Sequence, residues 1–235
     1  MPSSEHISKQ FDVELEAVRS RVLQMGGLVE EQIGHAVEAL TTGNKDLIDH
    51  VISEDHRVNA MEVAIDEICS QIIARRQPAA GDLRMIMTVI KTITDLERIG
   101  DEAEKIARMA KLIYAADHMH TPRFTEIRRV ADIALDMLRK SLDAFARLDL
   151  VAAAYVVRQD ELVDEEFRGI MRQLITFMME DPRKISTSLE ILFIAKAIER
   201  IGDHAKNMSE YVVYMVKGKD VRHVTVEEIE REARE

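Results

Sequence analysis

Apolar residues recur every three to four positions through long stretches of the chain, the spacing of amphipathic helices. Glycine, proline and short polar residues gather at the breaks: Thr42-Gly43-Asn44, Gln77-Pro78, Asp117 to Pro122, Leu148-Asp149, Asp181-Pro182 and after Lys217-Gly218. The pattern predicts six long helices and a weaker seventh from Thr225 to Glu235. Joints this short between helices of about 30 residues make neighbours antiparallel, so the fold class is an all-α bundle.

Each stretch carries an apolar stripe. On the second helix Val51, Val58, Ile65, Cys69 and Ile72 share a face, which buries the thiol. The fifth has Val156, Val163, Phe167, Ile170 and Leu174, and the sixth Ile194, Ile198, Ile201, Ala205 and Met208. The third is apolar on two sides, with Leu83, Ile86 and Ile90 on one and Val89, Leu96, Ile99 and Ile106 on the other. Such a helix needs a second partner, either the other half of the chain or another copy. Thirteen methionines, Met85, Met87, Met178 and Met179 among them, are expected to fill core gaps.

Composition narrows the classes. With 235 residues, 46% of them hydrophobic, the chain can bury a sizeable core, and its shortage of aromatics excludes an all-β fold. The longest runs free of charge, Val22 to Val29 and Leu150 to Val157, are far shorter than the roughly 20 residues of a spanning helix. The first residues lack the pattern of a secretory signal and there is a single cysteine, so a cytoplasmic location is expected. A formal charge of −11 opposes nucleic-acid binding and favours cations or basic protein surfaces.

The second half echoes the first. Glu97-Arg98-Ile99-Gly100-Asp101 recurs as Glu199-Arg200-Ile201-Gly202-Asp203 at an offset of 102 residues. Asp55-x-x-Val58-Asn59 meets Asp160-x-x-Val163-Asp164 at 105, and Pro78 meets Pro182 at 104. Two tandem three-helix units follow, divided as residues 1–118 and 119–235, the second with a C-terminal tail. A mid-helix glycine at the same place in both motifs points to close helix approach. Arg98 and Arg200 are expected to pair with nearby acids.

The repeat also places acids. Asn59 and Glu97 each lie 19 residues from Pro78, and Asp55 and Asp101 each lie 23 away, so all four meet in an antiparallel hairpin, about 28 to 35 Å from its turn. Asp160, Asp164, Glu199 and Asp203 converge about Pro182 in the same way. Each pair is spaced i,i+4 and projects from one helix face. Glu199 and Asp203 oppose the stripe of their helix, which makes the seam a surface groove. Gathered carboxylates repel, and a bound cation relieves them; oxygen-only donors suit divalent or ferric ions. Asn59 leaves the first set one carboxylate short. His56 and His204 point elsewhere, the Glu-x-x-His pair of di-iron bundles is missing, and Asp117-His118-Met119-His120 resembles a soft-metal site only superficially. No phosphate loop, nucleophile elbow or Cys/His dyad is found, which favours a regulator over an enzyme.

The duplicated Leu/Ile-Glu-Arg-Ile-Gly-Asp motif, the Asp-x-x-Val-Asn/Asp pairs and Arg76-Gln77-Pro78-Ala79-Ala80-Gly81-Asp82-Leu83-Arg84 resemble the PhoU family over nearly the full length. The resemblance implies two similar three-helix bundles, often dimeric. It implies negative regulation of the phosphate-starvation response and restraint of phosphate uptake. The partners implied are the PstSCAB phosphate transporter, through its ATPase PstB, and the sensor kinase PhoR, with contact to the membrane only through them. Some members carry metal clusters in the acidic grooves, which map onto Asp55, Glu97 and Asp101, and onto Asp160, Asp164, Glu199 and Asp203; Asn59 stands where the family usually has Asp. A metal-binding or metal-dependent bundle is the alternative reading.

Overall fold

The computed structural model describes residues 9–115 and 124–234. Three helices, α1 (Lys9–Thr42), α2 (Lys45–Arg76) and α3 (Ala80–Ala115), form the first unit. Another three, α4 (Thr125–Arg147), α5 (Leu150–Glu180) and α6 (Ile185–Lys217), form the second, and a short α7 (Val226–Arg234) follows. These are the six long helices and short seventh that the periodicity predicts. The boundary between residues 118 and 119, and the Asp117-His118-Met119-His120 segment, lie outside the described residues.

The two units repeat their turns as well as their helices. After α1, Gly43 takes a left-handed φ of 68° and Asn44 caps α2, its side chain accepting from the N–H groups of Asp46 and Leu47. After α4, Leu148 takes φ 56° and Asp149 caps α5 through Val151 and Ala152. Gly43 is required: a Cβ there would stand 2.7 Å from the Tyr114 ring, whose hydroxyl donates to the Leu40 carbonyl. At α7, Thr225 and Glu228 exchange side-chain-to-backbone hydrogen bonds at 3.1 and 3.3 Å, a capping box that starts the helix. Arg158 on α5 holds α7 through Glu230, and Ile229 is buried beneath it.

Within each unit every helix packs on the other two, and the units join mainly through α3 and α6, with a smaller contact between α1 and α4. The predicted stripes are the core: Val51, Val58, Ile65, Cys69 and Ile72 on α2, and Ile194, Ile198, Ile201, Ala205 and Met208 on α6, are all buried. Burial pushes the Cys69 thiol up to about 12. The second partner that α3 needs is α6. Their seam is partly polar: His204 Nδ1 lies 2.6 Å from Asp95 Oδ1, Asn207 donates to the same oxygen, and Arg200 pairs with Glu102 at 3.1 Å.

One expectation about the core fails. Met85 and Met178 pack against it, but Met87 is 41% and Met179 81% exposed. Neighbouring methionines one or two positions apart on a helix are turned by about 100° or 200°, so one core face cannot receive both.

Candidate functional site

The carboxylates meet part-way along the hairpins, where α2 faces α3 and where α5 faces α6. In the first groove, Asn59 donates to Asp55 Oδ2 at 3.0 Å. Burial, followed by the nearby Glu104, raises the Asp55 carboxyl above its ordinary range. Burial and then Asp101 raise Glu97, and burial and then Asp55 raise Asp101. The structure thus brings the four predicted residues into one electrostatic neighbourhood.

A fifth residue joins them from α1. Gln32 is only 4% exposed, and neither of its amide atoms has a hydrogen-bond partner. The amide sits near enough to Asp55 to ease that carboxyl downward without forming a hydrogen bond of normal geometry. Asp55 Oδ1 and Asn59 Oδ1 are likewise buried and unpartnered. The floor between them is Gly100. A Cβ there would stand 3.3 Å from Gln32 Oε1, 3.3 Å from Val58 Cγ1 and 3.6 Å from Asp55 Oδ1. Close approach is the reason for this glycine, as its place in the motif implies.

In the second groove the same skeleton carries different surroundings. Lys196 Nζ lies 2.5 and 2.6 Å from the two carboxylate oxygens of Glu199, and Lys206 Nζ lies 2.7 Å from Asp160 Oδ2. Burial opposes the charge on Lys206 more than any single contact favours it, but the hydrogen bond to Asp160 together with the charges of Asp160, Glu210 and Asp203 raises the ammonium above its usual value. Asp203 is pushed up to about 6, by burial first and then by Glu199 and Asp160. A Cβ on Gly202 would meet only apolar atoms, Val163 Cγ1 at 3.4 Å and Met137 Cε at 3.7 Å among them. Asp160 is 7% and Glu199 9% exposed, so this seam is not the open surface groove expected of it. The lysines lie across the carboxylates and take the solvent-facing side.

Arg98 pairs with Glu97 at 3.6 Å, and Arg200 reaches across to Glu102, so both motif arginines find acids. His56 is exposed and His204 is engaged by Asp95, so neither enters the grooves. Among the described residues no three His, Cys, Asp or Glu side chains are arranged to hold a metal ion by themselves. The donor chemistry nevertheless separates the grooves. In the first, unpartnered oxygens of Asp55, Asn59 and Gln32 beside Glu97 and Asp101 fit a hard cation, which when bound would neutralise the carboxylates and reverse the local field. In the second, Asp160 and Glu199 already hold ammonium groups and do not fit one.

The α1 amide and the two lysines were absent from the predicted site because the acid spacing was counted along the hairpins alone. The repeat offsets could have found them, since 105 residues carry Gln32 to Met137 and 102 carry Thr94 to Lys196 and Glu104 to Lys206.

With this geometry in place, likeness to known proteins is informative. The PhoU domain family matches residues 22–110 and 127–212, one segment in each unit. The phosphate-specific transport system accessory protein PhoU of Serratia marcescens is 49% identical over 228 residues, covering 97% of this chain and 93% of its own. The crystal structure of PhoU from Pseudomonas aeruginosa superposes with a TM-score of 0.85 at 47% identity, covering 89% of this chain and all of that one. That of the phosphate transport system regulatory protein PhoU from Streptococcus pneumoniae gives 0.83 at 27% identity, with 90% and 99% covered. Two matched segments, extended identity and a shared helical-bundle fold place this chain in the PhoU family.

Proposed function

We propose that this protein is a negative regulator of the phosphate-starvation response that also restrains phosphate uptake. The observation that carries this reading is the 49% identity, over 97% of the chain, with a protein named as accessory to phosphate-specific transport. It acts in the cytoplasm as an adaptor between PstB, the ATPase of the PstSCAB transporter, and the sensor kinase PhoR, and it pairs with a second copy of itself. Its role is binding rather than catalysis.

The physical features support an indirect way of sensing phosphate. The first groove gathers carboxylates beside unpartnered oxygens and the second sets four carboxylates against two ammonium groups, so neither by itself offers an anion a net positive field, and phosphate status reaches the protein through the transporter's conformation. Among the described residues no helix is long and apolar enough to cross a membrane, and contact with the transporter therefore runs through its protein components. One transporter state binds the adaptor more tightly than the other, and the adaptor biases the kinase towards keeping its response regulator unphosphorylated; such coupling acts in both directions.

The test is deletion of the gene in its source organism, with a plasmid copy as control, followed by alkaline phosphatase assay in phosphate-rich medium. High activity without the gene, falling on complementation, is the expected result. Activity that stays low in the deletion would overturn the regulatory reading and leave the metal-binding bundle, which the unpartnered oxygens of the first groove favour, as the working alternative.

A further inference from the structure

We infer that the apolar trough where the end of α3 lies beside the start of α6 docks an amphipathic helix of a partner protein, aliphatic along one face and carrying a lysine or arginine that meets Glu190. The inference rests on the adaptor reading for the existence of a protein partner; the place and chemistry of the contact come from side chains outside both acidic grooves.

The two antiparallel helices leave a depression of about 500 Å³ at this end of their seam, with Met109, Leu112, Leu189, Glu190 and Phe193 in its lining. Leu112 and Phe193 are each 50% exposed, Leu189 is 40% and Ile185, one turn before it, is 41%. Single exposed apolar residues are ordinary, but four gathered about one depression form a patch of the kind that partners cover. Ile185, Leu189 and Phe193 recur every four residues along α6 and span about 12 Å, the length of two turns of a docked helix. The other end of the same seam shows that the fold does not impose this exposure. An offset of 102 residues relates Leu189 and Phe193 to Met87 and Lys91, and Met109 and Leu112 to Tyr211 and Tyr214. There Lys91 Nζ lies 5.4 and 5.5 Å from the centroids of the two tyrosine rings, and Gly218, just after α6, lies against Arg84. That end occupies its seam with its own cation and rings, whereas the end at Phe193 turns apolar carbon to solvent.

Charge selects the partner. Along this part of α3 the cations are committed: Lys105, which lines the trough, pairs with Glu102 at 3.2 Å, Arg108 with Glu104 at 2.5 Å and Lys111 with Asp49 at 2.7 Å. On the other side Lys196 holds Glu199, and Lys184, at the turn before α6, lies over the Phe177 ring. Glu190 has no ion pair among the described residues, and its Oε2 is buried without a hydrogen-bond partner. A carboxylate oxygen buried beside apolar side chains needs a donor, and a cation arriving with a partner supplies both the hydrogen bond and the charge. A formal charge of −11 draws such a basic partner in from a distance. It works against a second copy, which, pairing through this face, would bring a second unpartnered Glu190 and no uncommitted cation of the trough to meet either.

The test titrates the full chain by calorimetry against purified PstB and, separately, against full-length PhoR in lipid nanodiscs. Phe193→Glu sets a charge among the apolar side chains, and Glu190→Lys places a cation where the partner's own belongs. Each should weaken binding to one of the two proteins by about tenfold or more. Met179→Glu, at a position 81% exposed and outside the trough, should leave it unchanged. All three variants should keep the wild-type urea midpoint, because none of the replaced side chains belongs to the buried core. Wild-type binding that Phe193→Glu and Glu190→Lys retain would overturn the inference and leave the adaptor reading standing, whereas a wild-type chain that binds neither protein would overturn both. A lowered midpoint in Phe193→Glu would mean that the chain covers this face itself, and a wild-type dimer that dissociates in Phe193→Glu, read by sedimentation, would mean that a second copy does; either result would overturn the inference.

Discussion

The two acidic grooves descend from one pattern and reach charge balance differently. Backbone features agree between the units: a left-handed residue and an Asx cap before α2 and before α5, a glycine in α3 and in α6, an i,i+4 pair on each helix of each hairpin. The surrounding charges do not. Glu104 and Arg108 form an ion pair beside the first groove, whereas the equivalent positions in the second carry charges of opposite sign, Lys206, which pairs with Asp160, and Glu210. Turn and packing geometry allows few solutions, because a left-handed φ or an uncapped helix end has a local cost that no distant residue can offset. Carboxylate repulsion allows several, since an ammonium group, a proton or a metal ion all supply positive charge. A duplicated fold can therefore keep its helices in register while its two sites diverge in chemistry.

The largest effect should come from removing the internal cation of the second groove. Lys206→Met leaves Asp160 buried without its partner and withdraws the charge that holds Glu210 down. Breaking a buried pair costs about 3–5 kcal/mol, and the one-third exposure of the Lys206 side chain places this case towards the lower end. Urea unfolding of the two proteins measures it. A variant as stable as wild type would remove the distinction drawn between the grooves.

Next in size is the response to pH. Glu210 is 6% exposed and its carboxyl is pushed up to about 7, by burial first, with Lys206 opposing the rise. The folded state thus holds a proton that the unfolded chain, at its ordinary 4.5, has already released. Between those values the native form binds more protons, so stability falls as pH rises from about 4.5 to 7 and the penalty is complete above 7. Asp203, raised to about 6, adds to the same slope over its lower part. Glu210→Gln should flatten the pH dependence of unfolding across this window and stabilise the protein at pH 8 by on the order of 2 kcal/mol. Arg108→Gln, at the equivalent position of the first unit, should leave the slope in place.

The helices and the meeting of the acids were legible in the sequence because both follow from periodicity: 3.6 residues per turn fixes a face, and equal distances from a proline turn fix which residues oppose each other. The state of charge was not legible from that spacing. Lys196 lies three residues before Glu199 on its own helix and Lys206 reaches Asp160 on the facing helix, positions that a count of carboxylates passes over. Gln32 was hidden for a different reason, since nothing in the α2–α3 hairpin indicates which face of α1 closes over Gly100. Burial of Asp160 and Glu199 likewise depends on what lies across them, whereas helical phase reports only that they oppose a stripe. Close approach, expected of both motif glycines, holds at Gly100, whereas a Cβ at Gly202 would stand at ordinary contact distance; the atoms above them, polar in one unit and apolar in the other, follow from the third helix.

Those glycines supply the smallest contrast. In a helix interior, Gly→Ala gains about 1 kcal/mol from the restricted unfolded chain and better helix propensity, provided the new methyl group fits. Gly202→Ala places it at ordinary contact distance from Val163 and Met137, and most of that gain should appear. Gly100→Ala places it 3.3 Å from Val58 Cγ1, on a β-branched side chain that is fully buried, and 3.3 Å from Gln32 Oε1. Val58 has little freedom to yield, because its rotamer is fixed by the helix and its neighbours are packed. Gln32 can yield only by moving its oxygen out of the groove. Gly100→Ala should therefore be less stable than Gly202→Ala by about 1 kcal/mol in urea unfolding. Equal gains from the two substitutions would mean that the polar floor over Gly100 is no more demanding than the apolar floor over Gly202, and this structural basis for treating the grooves as different would be lost.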